Sequence, residues 1–140
     1  MVNILANEET KRPTKFGYEL LRYHVIPAIL GKHEEDILYW VGKEIAREFP
    51  LFSLQELPDF FREADWGELI VEKEKNDSII YTLTRPTVED FEQASHALEA
   101  GFLAAQHEAL QKRVTECYAE KNIKKQWIQF EVKWDASSRL

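Results

Sequence analysis

From Thr87 to Arg113 the chain reads TVEDFEQASHALEAGFLAAQHEALQKR. Its apolar positions Phe91, Leu98, Phe102, Ala105 and Ala109 recur at helical spacing, while Ala97, Gly101 and Ala104 share a neighbouring face. The pattern predicts one long central helix, N-capped by Thr87 and favoured at its positive end by Glu89 and Asp90. At 1.5 Å per residue it would span about 39 Å. A glycine inside a helix costs about 1 kcal/mol relative to alanine, so Gly101 implies a close neighbour, expected to be a strand or the first helix.

The rest of the chain is arranged around that segment. Residues 1–15 are polar and contain Pro13, and a loose lead-in is expected there, with a single domain over 16–140. FGYELLRYHVIPAILG has apolar residues on several sides, which predicts a largely buried helix bent near Pro27 and stopped by Gly31. HEEDILYWVGKEIAREFP gives a cleaner helix, with Ile37, Leu38, Val41, Ile45 and Phe49 on one face and Pro50 beyond its end. A short third helix starts at Ser53, where Ser53 and Glu56 can form a capping box, and runs to about Ala64. From Trp66 the period changes to two. WGELIVEKE and SIIYTLTR read as a hairpin turning at Lys75, Asn76 and Asp77, with Ile79, Tyr81 and Leu83 on one face. After the central helix, VTECYAE and QWIQFEVKW form a second pair, in which Ile128, Phe130, Val132 and Trp134 alternate with Gln129, Glu131 and Lys133. This order predicts an α+β domain: an antiparallel sheet of about four strands, with the helices packed on one face.

Composition narrows the function classes. The 44% hydrophobic content of the 140 residues, with only five glycines and five prolines, suits one domain with a real core. A formal net charge of −7 and scattered basic residues argue against nucleic acid, whose binding relies on Lys and Arg neutralising phosphates. No apolar run is long enough to cross a bilayer, and MVNILANEETKRPTK lacks the apolar segment of a signal peptide, so a cytoplasmic protein is expected. The single cysteine, Cys117, agrees with a reducing compartment.

Candidate chemistry is sparse. His96 and His107 stand about 16 Å apart on one predicted helix, too far to share an ion. His33 precedes Glu34, Glu35 and Asp36, but acids in a first helical turn are what dipole compensation requires. His24 is expected to be a hydrogen-bonded core residue. Cys117, in a strand between Glu116 and Tyr118, reads as a packed thiol. No nucleophile elbow, phosphate loop or pair of facing carboxylates is present in the spacing. Neither a cofactor nor a metal is expected, and no catalytic role is assigned.

Several runs resemble known families. Glu99, Ala100, Gly101, Phe102, Leu103, Ala104 and Ala105, then Glu116 and Cys117, then Phe130, Glu131 and Val132, resemble the vinyl-reductase-like small-molecule-binding domain related to the TRAPP vesicle-tethering subunits. Trp66 and Gly67 sit where that family has its first strand. More closely, FGYELLR, ILYWVGKEIAR and FFREADWGEL resemble the YslB-like family of Gram-positive bacteria, a group of unknown function, and this likeness runs from Phe16 to Trp134. Some members of the wider family carry further cysteines where this chain has Ser95, His96 and Gln129, so no cysteine-based metal or redox role carries over. Acylated cysteines in some TRAPP subunits lie on a helix, unlike Cys117. The wider resemblance implies a hydrophobic-ligand cavity between the central helix and the sheet, lined by Val41, Ile45, Phe91, Leu98, Phe102, Cys117 and Phe130. The expected function is a non-enzymatic binding module for an apolar or amphipathic small molecule or a protein partner. The alternative is a structural or adaptor protein with a solid core. The many large apolar side chains, and dimerisation in the related fold, suggest a homodimer.

Overall fold

The computed structural model describes residues 14–85 and 94–140, and these fall in two compact units, Met1–Glu34 and Glu35–Leu140. The lead-in expected over the first residues, and Thr87, Glu89, Asp90 and Phe91, lie outside the described residues.

In the first unit Thr14 caps helix α1, Lys15–Leu20, its hydroxyl accepting the Gly17 N–H at 2.9 Å. A π-helical turn follows over Leu21–Val25, then α2, Ile26–Leu30, with Pro27 in its first turn, where a missing N–H costs nothing. Gly31, at φ 55°, ends α2 and leads into a 3₁₀ turn, Gly31–His33. Arg22 donates to the Tyr18 hydroxyl at 2.9 Å, and the Tyr18 and Tyr23 rings meet edge to face at 6.5 Å. The expectation of a largely buried helix is corrected here. Phe16 is 69% and Ile29 74% exposed, with Leu20, Leu21 and Val25 also exposed. Apolar residues on several sides of a helix do not by themselves imply burial, and here they run through α1, the π turn and α2 with their side chains exposed. His24 is likewise exposed rather than a core histidine.

Helix α3 is Glu34–Glu48, with Leu38, Gly42 and Ala46 buried, Val41 and Ile45 half-buried, and Ile37 and Phe49 exposed. Of the expected face Ile37, Leu38, Val41, Ile45 and Phe49, Leu38 is buried, and the buried stripe continues from it through Gly42 and Ala46 rather than along the other four. The smallest residues mark the side where another backbone comes closest. After the helix, Ser53 and Glu56 form the capping box, the Glu56 carboxylate accepting the Ser53 N–H at 2.8 Å. A 3₁₀ turn, Leu54–Glu56, leads into α4, Leu57–Glu63, whose Leu57 and Phe61 are fully buried.

Strands β1, Glu68–Glu74, and β2, Ser78–Thr84, form the first hairpin, and β3, Thr115–Asn122, and β4, Trp127–Trp134, the second. All neighbours pair antiparallel in the order β1-β2-β4-β3, so the two late strands extend the early hairpin through β4. Leu69, Ile79, Tyr81, Leu83, Cys117, Ile128, Phe130 and Val132 are buried on one face, as the alternation required. On the other face a bulge between Val71 and Lys73 brings Glu72 to Thr82, whose hydroxyl it accepts, and to Gln129 at 2.9 Å.

The central helix, α5, is Ala97–Gln111. Its predicted start at Thr87 is corrected by the described residues Ala94, Ser95 and His96, which are not helical. The Ser95 hydroxyl accepts the Ala97 N–H at 3.2 Å, and this competing local bond sets the boundary. At 15 residues the helix spans about 22 Å. Lys112, in the left-handed region at φ 57°, closes it by donating its N–H to Glu108 O at 2.9 Å.

Candidate functional site

Helix α5 is buried along most of its length, and its small-residue stripe explains how. A Cβ placed on Gly101 would collide with the carbonyl oxygen of Tyr39 and stand 2.8 Å from its carbon. One on Gly42 would collide with Leu98 O and stand 2.8 Å from Phe102 N. Each glycine therefore receives the other helix's backbone, and α3 crosses α5 in direct main-chain contact. The expected close neighbour of Gly101 exists. It is α3, not a strand or the first helix.

Four hydrogen bonds surround that crossing. Gln106, buried on α5, donates to Phe49 O at 2.8 Å and accepts the Leu51 N–H at 3.2 Å, so it satisfies backbone groups left open where α3 ends. The Tyr39 hydroxyl on α3 accepts the Cys117 N–H at 3.2 Å, and Glu108 accepts the Thr115 N–H at 3.1 Å. Both donors belong to β3, an edge strand, so the helices cover part of its open edge. None of Gly42, Gln106 or Tyr39 was read as important from sequence, although a second helix-interior glycine was a visible signal for the first.

Between α5 and the sheet the interior is filled. Phe102 stacks on Phe60 with centroids 4.3 Å apart and meets Trp66 edge to face at 5.4 Å, and Phe61 meets Trp66 at 4.9 Å. Farther along α5, His107 is fully buried, stacks on Trp134 at 6.0 Å and places Nε2 2.7 Å from the Tyr81 hydroxyl. Burial pushes His107 down to about 4, although the Gln111 side chain acts in the opposite direction. Burial also raises Tyr81 and Cys117 well above their usual ranges. At neutral pH His107 is uncharged, and its Nε2 and the Tyr81 hydroxyl share a hydrogen bond whose direction the imidazole tautomer sets. Burial favours the protonated thiol at Cys117.

The predicted ligand-lining residues separate into two groups. Phe102, Cys117 and Phe130 lie in the filled interior, fully or nearly fully buried. Val41, Ile45 and Leu98 are half-buried on α3 and α5, and Phe91 lies outside the described residues. Among the described residues, the pockets found have none of these six along their walls. An open groove of about 460 Å³ instead runs beside the C-terminal halves of α3 and α5, with Ala46, Pro50, Leu51, Ala105 and Ala109 along it and Arg47 and Lys112 among its charged residues. Among the described residues, no group of three His, Cys, Asp or Glu side chains is placed to hold a metal.

Comparison with known proteins agrees with this architecture. A vinyl-4-reductase family protein from Methanocaldococcus jannaschii superposes with a TM-score of 0.67 at 21% identity, over 96% of this chain and 97% of that one. A trafficking protein particle complex subunit 3 from Naegleria fowleri, covalently bound to palmitic acid, gives 0.53 at 13% identity, over 98% and 96%. Both likenesses concern the fold. In sequence, the uncharacterized protein YslB of Bacillus subtilis (strain 168) is 35% identical over 124 residues, 86% of this chain and 84% of the relative. Residues 15–133 match the model of a family described as a protein of unknown function, DUF2507, and together with that relative this shows that the chain belongs to the DUF2507 family.

Proposed function

We propose that the chain is a non-catalytic, cytoplasmic binding module that accepts an apolar or amphipathic small molecule, or an apolar segment of a protein partner, against α5. The observation that carries this reading is the groove beside the ends of α3 and α5, which is open without any rearrangement and mixes small apolar residues with Arg47 and Lys112. Glu108 lines it as well, so the lining suits an amphipathic ligand by its apolar floor and mixed polar rim rather than by a net charge. The non-catalytic part is supported by His107 and Cys117, which burial holds in their uncharged forms inside the packed interior. Val41, Ile45 and Leu98 belong to the same two helices and are proposed as the neighbouring wall. Entry of a ligand among Phe102, Cys117 and Phe130 would require the Phe60 and Phe102 stack to open.

The second reading, an adaptor with a solid core, is favoured by that same filled interior. A homodimer fits either reading, because Phe16, Leu21 and Ile29 are large and exposed on α1, the π turn and α2. Among the described residues no helix is long and apolar enough to cross a membrane.

Titration with anilinonaphthalene sulfonate, an amphipathic anion, tests the groove. Saturable emission enhancement by the native protein, lost in Ala109→Trp while the fold is retained, is the expected result. No enhancement, or enhancement indifferent to the tryptophan, would overturn the groove and leave the adaptor reading.

A further inference from the structure

The charge of the chain is unevenly placed. Against a formal net charge of −7, the end of β3 and the turn joining it to β4 read KNIKKQ over residues 121–126, with Lys121, Lys124 and Lys125 and no acid. The turn is locally built. Asn122 Oδ1 accepts the Lys125 N–H at 3.0 Å, and Gln126 sits in the left-handed region at φ 55°. All of Ile123–Gln126 is exposed, and Ile123, an apolar residue at 50% exposure, stands among the lysines. A turn needing only solubility has no use for isoleucine there. Behind it, Lys125 Nζ lies 4.7 Å from the centroid of the half-buried Trp127 ring. An open cleft of about 420 Å³ runs past Glu120, Lys121, Ile123, Lys124, Trp127 and Gln129.

We infer that this hairpin tip docks on the surface of an anionic phospholipid bilayer. Cations around a single exposed aliphatic residue, backed by tryptophan, are the combination that a headgroup layer accepts: phosphates meet Lys124 and Lys125, Ile123 enters the acyl boundary and Trp127 lies at the interface. Glu120 and Glu72 lie beside the tip, Glu72 close enough to feel Lys125, and they weaken the attraction, while the more distant acids are screened beyond about 8–10 Å at ordinary salt. Three lysines and one isoleucine give weak, reversible and salt-sensitive attachment. The inference is independent of any ligand in the groove.

Vesicle flotation decides it. Wild-type protein is expected to float with vesicles of phosphatidylcholine containing phosphatidylglycerol at low salt, and to be released at high salt and from pure phosphatidylcholine. K124E/K125E and I123E should each bind roughly tenfold more weakly or worse, with unchanged circular dichroism. Lys75→Glu serves as the control, since the register puts the β1–β2 turn at the opposite end of the sheet, and it should bind like the wild type. Absence of wild-type binding, binding indifferent to lipid charge, or tip variants that float like the wild type would each overturn the inference. Lysine-dependent retention on heparin without vesicle binding would also overturn it, and would assign the tip to a dissolved polyanion.

Discussion

The α3–α5 crossing and the α1–α2 helices are built from similarly apolar sequence, yet the first is closely packed and the second leaves its largest side chains exposed. At the crossing the residues in contact are Gly42 and Gly101, with Ala46 and Ala104 also buried, whereas α1 and α2 carry Phe16, Leu21 and Ile29 into the open. The difference shows that burial here follows how closely two backbones can approach rather than how large an apolar side chain is. Close approach also aligns Gln106 and Tyr39 with backbone groups, so the small residues organise polar contacts as well as apolar ones.

Substitution at the crossing should break this contrast most severely. Gly101→Ala normally gains about 1 kcal/mol in an open helix, but here the methyl meets the Tyr39 carbonyl, and a loss of about 1–3 kcal/mol is expected instead, with Gly101→Leu costing more. Urea denaturation of the three proteins measures it, and a stabilised alanine variant would separate the helices.

Acid comes next. His107 is held near 4, below its usual 6.5, so between those values the unfolded chain binds more protons than the native one. Its contribution is therefore complete above pH 6.5 and is lost as pH falls toward 4, by on the order of 2–3 kcal/mol. Comparing denaturation of wild type and His107→Gln at pH 7 and pH 5 isolates this from the carboxylates. The variant should show the shallower decline, and parallel curves would mean His107 is not buried neutral.

Tyr39→Phe removes the acceptor for the Cys117 N–H and should cost about 1 kcal/mol, with faster hydrogen exchange at Cys117. Exchange unchanged from the wild type would detach the α3 hydroxyl from the strand edge. The smallest effect belongs to α2. Ile29→Ser should change monomer stability by less than about 0.5 kcal/mol while weakening self-association in sedimentation velocity. A large stability loss would show that Ile29 is covered after all, and the contrast with the crossing would fail.

Legibility in the sequence follows the same physics. Ile128, Phe130 and Val132 alternated cleanly because a period of two has one interpretation, and the Ser53 and Glu56 box was readable because both partners are local. The start of α5 was not readable. A helical period ran on through Ser95 and His96, while a single hydroxyl bond to the Ala97 N–H ends it. Gly101 announced a close neighbour but not which one, since Tyr39 is remote in sequence. The groove was invisible for a related reason: Ala46, Leu51 and Ala109 acquire a common purpose only after the helices cross. The large aromatics drew attention to the interior, where Phe60, Trp66 and Phe102 fill the space themselves.

Native mass spectrometry of the protein, purified without denaturation from bacterial extract, tests the binding-module account most directly. The account predicts a retained amphipathic adduct on the wild-type protein that is reduced or lost in Ala109→Trp. Wild-type protein that is consistently bare, or an adduct equally abundant on the folded tryptophan variant, would contradict it.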